Sequence, residues 1–205
     1  YTGYKVGMIL TTEDSDEGDH NDNDTVQSLI NRGIIRFNGG NSIGIQVYAP
    51  NYVNYTSYKG GGNAVIDVVN EKTGVIELGG DRSVGMKLSS QVKKIVRFEN
   101  KGKINIGGSY SSGISVVKDQ KMENNRIQAL SPDDMIGIVQ NKGEININSG
   151  EGSSAMNLRT SDGDVLTNSG TVNIRGNKNI GLKVTQDGEI KGYTAEGEHF
   201  PGEAP

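Results

Sequence analysis

The chain has 205 residues, of which only 33% are hydrophobic, with three Phe and no Trp, so a thick globular core is not expected. Its 30 Gly and four Pro indicate many turns rather than collagen, because no Gly-x-y period occurs. The formal net charge of −4 argues against nucleic acid and anionic membrane surfaces as partners, and the absence of Cys excludes disulfides, thiolate catalysis and Cys-ligated zinc.

One polar–apolar pattern recurs along the chain. Residues 4–10 match its second half, and full copies begin at Asn31, Asn70, Asn100, Asn141 and Asn168. Each copy has Asn and Gly, then two apolar residues that alternate with polar ones. A Gly-rich corner and a second alternating segment follow. Apolar residues with period two rather than 3.6 predict half-buried strands.

A third apolar segment precedes each copy, at residues 26–30, 65–69, 95–98, 135–139 and 165–166. Three short strands per repeat are typical of one coil of a solenoid, whose inward side chains become buried only when coils stack. The pattern therefore predicts an all-β fold, a right-handed parallel β-helix of about six coils. The coils are expected at about 1–30, 31–69, 70–99, 100–140, 141–167 and 168–192, with an irregular end at 193–205.

The repeated Asn and Gly residues have a structural interpretation. Asn31, Asn100, Asn141 and Asn168 are expected to stack at one corner, where Asn tolerates left-handed geometry and bonds the neighbouring coil. Exposed ion pairs are expected across coils, between Arg36 and Glu77 and between Lys103 and Glu144 on the adjacent outward positions.

The spacing between the Gly of the first strand and the Gly or Ala of the second hardly varies. It is 11 residues in four copies, as from Gly102 to Gly113, and 12 in the copy from Gly143 to Ala155. The return connections vary, and three are long, at residues 11–24, 48–62 and 117–134. All three are therefore expected to leave from the same corner, and insertions gathered on one face of a repeat protein are often its binding face.

The first insertion is acidic, with seven carboxylates and no Lys or Arg. Calcium prefers clustered oxygen ligands, which makes the following residues weak Ca²⁺ candidates: Asp14, Asp16, Asp19, Asp22 and Asp24. The spacing does not fit an EF-hand or a calcium-loading nonapeptide. A solvated loop that binds no cofactor is the alternative.

The second insertion holds four of the eight Tyr, at Tyr48, Tyr52, Tyr55 and Tyr58. Tyr provides rigid contact area with one polar tip, which suits protein or sugar recognition. Alternatively, these rings cover the side of the rod.

The third insertion mixes charges and contributes Lys118 and Arg126 as binding candidates. Part of it is expected to form a helical turn on the rod. Its Asp133–Asp134 pair is similar to acid pairs in β-helical polysaccharide hydrolases, although turns also favour Asp.

The pattern Asn-x-Gly-x-Ile-x-Ile-x-Gly followed by Ser-x-Gly-Ile, at 100–116 and 168–184, resembles the passenger repeats of the large fusobacterial type V autotransporters, the RadD-like outer-membrane adhesins. The resemblance covers about residues 1–184 and rests on scaffold residues, so no binding residue is carried over. It implies a segment of a longer passenger that is secreted through a barrel outside this chain. It also implies display at the cell surface, and attachment to a protein or glycan receptor on host cells or other bacteria.

An enzyme is not expected. No Gly-Asp-Ser-Gly or Gly-x-Ser-x-Gly motif occurs, and the outward strand positions are mostly Asn, Ser, Lys and Thr, as in a passive wall. The alternatives are a polysaccharide lyase or hydrolase, which needs carboxylates or an Arg gathered on one face, and a passive stalk spacer without binding of its own.

Overall fold

Short strands follow the alternating segments of the sequence and stack into three parallel sheets. The computed structural model describes residues 4–11, 27–48, 66–89, 95–117, 121–123, 126–128, 138–160 and 165–186. The chain visits sheets 1, 2 and 3 in turn and then returns to sheet 1 in the next coil. The fold is the predicted right-handed parallel β-helix.

Each sheet takes every third strand of the rod, and its neighbours pair in parallel register. Sheet 1 has six strands: β1 (Lys5–Thr11), β4 (Ser42–Tyr48), β7 (Val84–Ser89), β10 (Ser112–Val117), β15 (Ser154–Thr160) and β18 (Ile180–Gln186). Sheet 2 has five: β2 (Gln27–Asn31), β5 (Ile66–Asn70), β8 (Ile95–Asn100), β13 (Ile138–Asn141) and β16 (Val165–Asn168). Sheet 3 has five: β3 (Ile34–Phe37), β6 (Val75–Leu78), β9 (Lys103–Ile106), β14 (Glu144–Ile147) and β17 (Thr171–Ile174).

The core is one apolar column along the axis, formed because the inward residues of successive coils lie directly above one another. Ile76, Ile104 and Ile145 in sheet 3, for example, are fully buried and occupy matching register positions. Sheet 2 adds Phe98, the largest fully buried side chain. Apolar residues need to fill only this column, so 33% of the sequence is enough.

The corner between sheets 2 and 3 carries an asparagine ladder, defined as Asn31, Asn70, Asn100, Asn141 and Asn168. Each Nδ2 donates to the Oδ1 of the next Asn along the rod at 2.8 Å. The first four side chains are buried. The predicted stack is confirmed, and it includes Asn70, which the prediction did not name.

A second ladder closes the corner between sheets 3 and 1. The Oγ atoms of Ser83, Ser111 and Ser153 each accept the backbone N–H of the equivalent residue one coil below, at 2.9–3.2 Å. The residue before each of these positions has positive φ: Asn41, Arg82, Tyr110, Gly152 and Lys178. Because side chains bond this turn to the next coil, it keeps its shape along the rod.

The predicted ion pairs on the outer face of sheet 3 are confirmed. Arg36 Nε lies 2.5 Å from Glu77 Oε2, and Lys103 Nζ lies 3.1 Å from Glu144 Oε2. Hydrogen bonds from Asn146 and then Lys103 lower the pKa of Glu144, while the bond to Glu77 raises the pKa of Arg36. These partners are partly exposed, so each pair contributes little to stability.

In the last described coil, three residues predicted to face inward are exposed: Ile174 by 41%, Leu182 by 43% and Val184 by 58%. They still follow the alternation of their strands. The described residues include no helix that is both long enough and apolar enough to span a membrane.

Candidate functional site

The three long insertions leave the rod at the corner between sheets 1 and 2. The first joins β1 to β2, the second joins β4 to β5, and the third joins β10 to β13. Strands β1, β4, β7 and β10 are consecutive in sheet 1, so the connections depart from successive levels of one edge. The prediction that the insertions share one corner is confirmed, and we name this edge the insertion edge.

The structure describes the backbone at two of the predicted binding residues. Tyr48 ends β4 and pairs with Thr11 on one side and Ser89 on the other, and Arg126 pairs with Glu123. The other candidates lie outside the described residues: Tyr52, Tyr55, Tyr58 and Lys118 for binding, and Asp14, Asp16, Asp19, Asp22 and Asp24 for calcium. In the described part of the chain, no group of three or more His, Cys, Asp or Glu is arranged to hold a metal ion.

The third insertion contains an antiparallel pair, β11 (Lys121–Glu123) with β12 (Arg126–Gln128), where a helical turn was predicted. That prediction is wrong for these residues. Met122 pairs with Ile127, and only Asn124 and Asn125 separate the two strands. A two-residue Asn connection between alternating segments favours a hairpin, because Asn tolerates the positive φ values of such turns. That signal was available in the sequence.

The outer face of sheet 2 carries charges at positions where the sequence predicted a passive wall. We name them the sheet 2 charge cluster: Asp67, Glu71, Arg97, Glu99, Lys101 and Lys142. Arg97 binds Asp67 in a bidentate pair, from Nε to Oδ1 at 2.7 Å and from Nη2 to Oδ2 at 2.5 Å. This hydrogen bonding raises the pKa of Arg97. Lys101 Nζ lies 3.4 Å from Glu71 Oε1.

Glu99 is the centre of this cluster and is fully buried. Lys142 Nζ lies 2.7 Å from its Oε1, and Arg97 Nη1 and Lys101 Nζ lie 3.6 and 3.8 Å from its Oε2. None of these contacts has hydrogen-bond geometry, so neither carboxylate oxygen receives a hydrogen bond within the described part of the chain. Three surrounding cations offset the cost of burying this charge.

The geometry of the cluster favours a structural role for Glu99. A general acid or base must come within hydrogen-bond reach of the substrate, whereas Glu99 has no exposed surface. Sequence alignment could have found part of the cluster, since Asp67 and Arg97 both stand three residues before a ladder Asn. The burial of Glu99 has no such signal.

The comparisons agree with this architecture. A model of the BigA third pectate lyase-like domain matches residues 51–193, which is more than half of the chain. A search of curated proteins and a search of solved structures each returned no match. The matched family is of the bacterial autotransporter and adhesin type and comes from bacterial surface proteins. The chain belongs to the BigA third pectate lyase-like domain family.

Proposed function

We propose that this chain is a surface-exposed rod segment of a secreted bacterial adhesin, and that its insertion edge attaches to receptors on host cells or other bacteria. One observation carries the proposal: the long insertions all leave from one edge, while ladders of Asn and Ser close the other two corners. A rod that keeps two corners constant can vary its third without losing the fold, which is how repeat proteins present binding loops.

The membership in a family of bacterial surface proteins supports a location at the cell surface. Secretion by the type V route, an anchor in the outer membrane and a fusobacterial relationship are the finer parts of the proposal. They rest on the resemblance of the repeats at Asn100 and Asn168. The receptor is a cell-surface protein or glycan, because Tyr side chains serve either kind of recognition.

Adherence of beads coated with this chain to partner cells tests the proposal. The triple variant Tyr52→Ser, Tyr55→Ser, Tyr58→Ser keeps the length of the second insertion and removes its rings. We expect at least a fivefold loss of bound beads with an unchanged melting temperature, since the rod does not need these side chains to stack.

Tyr110→Ser is the matched control. Tyr110 is exposed by 59% and lies at the corner between sheets 3 and 1, away from the insertion edge. It should leave adherence unchanged. Equal adherence of the wild type and the triple variant, with the rod still folded, would favour the passive spacer.

A β-helical polysaccharide lyase or hydrolase is the second candidate, favoured by the carboxylates and the Arg gathered in the sheet 2 charge cluster and by the pectate lyase-like family. We propose that the chain is not an enzyme, because the carboxylates of the described cluster are ion-paired and Glu99 is inaccessible. Incubation with acidic polysaccharides should release neither reducing ends nor unsaturated products. Turnover that Arg97→Gln abolishes would overturn this proposal.

A further inference from the structure

A shallow polar groove lies on the outer face of sheet 3, on a different side of the rod from the insertion edge. Its volume is about 340 Å³. Arg36, Glu77 and Asn105 occupy adjacent outward positions along it, and the Arg36 Nε atom donates to Glu77 Oε2. The groove therefore offers a guanidinium, a carboxylate and an amide in one row.

Asn105 lies at the start of a short amide ladder. Asn146 Nδ2 donates to Asn105 Oδ1 at 2.7 Å, and Asn173 Nδ2 donates to Asn146 Oδ1 at 2.8 Å. The Nδ2 of Asn105 donates to no residue in the described ranges, so its two N–H groups are available on the groove side of the ladder.

The position after each sheet 3 strand forms the floor of the groove, where Asn38, Gly79, Gly107 and Asn148 stack in successive coils. Backbone hydrogen bonds continue the sheet here, from Gly79 N to Phe37 O, Gly107 N to Leu78 O and Asn148 N to Ile106 O, each at 2.8 Å. Two glycines thus lie between two asparagines over three ladder steps, about 14 Å at the usual spacing of about 4.8 Å.

The fold does not require glycine at these two floor positions. A Cβ added at Gly79 or Gly107 would meet no atom closer than 3.5 or 3.4 Å, and neither residue is among the described glycines with positive φ. The next residues differ, because a Cβ at Gly80 or Gly108 would lie 2.1–2.2 Å from the backbone of the coil below. Glycine at a strand position weakens the strand and often marks close approach of a ligand to the backbone.

The chemistry of the groove favours an uncharged ligand rich in hydroxyl groups. Its one guanidinium and one carboxylate cancel in charge, which does not favour a polyanion. Leu78, which also lines it, is only 1% exposed, so this side chain provides no apolar anchor of the kind that docked peptides use. Amide, guanidinium and carboxylate groups together donate to and accept from hydroxyls.

We propose that this groove binds a short run of uncharged sugar units. Arg36, Glu77 and Asn105 bond the hydroxyls, and Gly79 and Gly107 allow the sugar rings to approach the backbone. This site is separate from the insertion edge and does not depend on the function proposed for that edge.

The test is binding of the intact chain to a panel of immobilised neutral oligosaccharides, namely maltotriose, cellotriose and galactobiose, with trigalacturonate as the anionic comparison and an unstructured peptide library as the protein comparison. We expect at least one neutral oligosaccharide to bind in preference to both comparisons. The double variant Arg36→Gln, Glu77→Gln should weaken that binding at least tenfold.

The matched control is Lys103→Gln, Glu144→Gln, which removes the other exposed ion pair of the same face, outside the groove. It should bind as the wild type does. Gly79→Ala with Gly107→Ala should also weaken binding without lowering the melting temperature, whereas Gly33→Ala, which has no atom within 4 Å of the added Cβ, should change neither.

Failure of all three neutral oligosaccharides to bind, preference for trigalacturonate or the peptides, or equal weakening by the two charge-removing variants would each overturn the proposal. The triple Tyr variant of the insertion edge should retain sugar binding in this assay, which separates the two sites.

Discussion

The five side chains of the asparagine ladder form one hydrogen-bonded column, and their burial makes each link costly to remove. Asn100 donates from Nδ2 to Asn141 Oδ1 and accepts from Asn70 Nδ2, both at 2.8 Å, and has no exposed surface. A buried amide group that loses its partner keeps its desolvation cost, whereas an exposed one is rehydrated by water. Position along the rod should therefore decide how much each Asn contributes.

Asn100→Ala should lower the free energy of unfolding by about 2–3 kcal/mol, because it leaves the facing amide groups of Asn70 and Asn141 without partners. Asn168→Ala should cost less than about 1 kcal/mol, since Asn168 is exposed and only Asn141 donates to it among the described residues. Urea denaturation of both variants measures the difference. Equal losses would show that the column acts through corner geometry rather than through buried hydrogen bonds.

Residues whose role repeats could be predicted from the sequence, and residues whose role occurs once could not. Ile104 and Ile145 share a register position, so five copies of the pattern point to one inward face. Glu99 has no counterpart, because the position that precedes the ladder Asn holds Val69 in the coil below and Gln140 in the coil above. Its burial depends on three cations from two coils, and no single strand pattern encodes that contact.

The strands of sheet 1 show why one glycine recurs at the start of each of them. A Cβ added at Gly44, Gly85 or Gly113 would lie 2.6–2.7 Å from the Cγ2 atom of the sheet 3 Ile in the next coil. It would also lie 2.5–2.6 Å from the carbonyl oxygen of the equivalent residue in that coil. The constant spacing of 11 residues thus reflects a contact between coils as well as a turn within one coil.

The fourth copy explains its own exception. Its step of 12 residues ends at Ala155, which is fully buried, and the extra residue falls in the corner between sheets 3 and 1. That corner contains Gly150 and Gly152, both with positive φ, on either side of Glu151, which forms an isolated bridge with Asn177. The sequence showed the extra residue, but the corner that absorbs it follows only from the backbone.

Gly113→Ala should destabilise the rod by about 1–3 kcal/mol, the usual cost of an additional carbon in a packed core. The new Cβ would press on Ile145 Cγ2 and on Ala155 O, and the carbonyl belongs to a paired strand that cannot move alone. Gly33→Ala is the control, since its Cβ meets open space and should shift stability by less than about 0.5 kcal/mol. Thermal melts that place both variants at the wild-type midpoint would contradict this account.

At the scale of the whole molecule, the insertions and the walls obey different constraints. The walls could be predicted because each coil must match its neighbours in period and spacing, as Ile76 matches Ile104. An insertion matches nothing, so the sequence placed its exit but not its contacts. The antiparallel pairing of Met122 with Ile127 is an example, since it lies outside the three parallel sheets.

The stability of such a rod is a sum over neighbouring coils, so it should vary along the axis. Strands β8 and β9 pair with a strand on each side, and their inward residues Phe98 and Ile104 are fully buried. Strands β16, β17 and β18 each pair on one side only among the described strands, and Val184 there is 58% exposed. The last described coil therefore gains less from apolar burial than a central one.

Hydrogen exchange followed by mass spectrometry should reveal this gradient under native conditions. Amide hydrogens of β16–β18 should exchange at least about tenfold faster than those of β8–β10, which corresponds to a local opening free energy lower by about 1.4 kcal/mol. Asn100→Ala should then speed exchange in the central strands more than in β18, because it breaks the ladder at the middle of the rod. Uniform protection from β8 to β18, in the wild type and the variant alike, would mean that the coils open as one cooperative unit and that nearest-neighbour stacking does not describe this molecule.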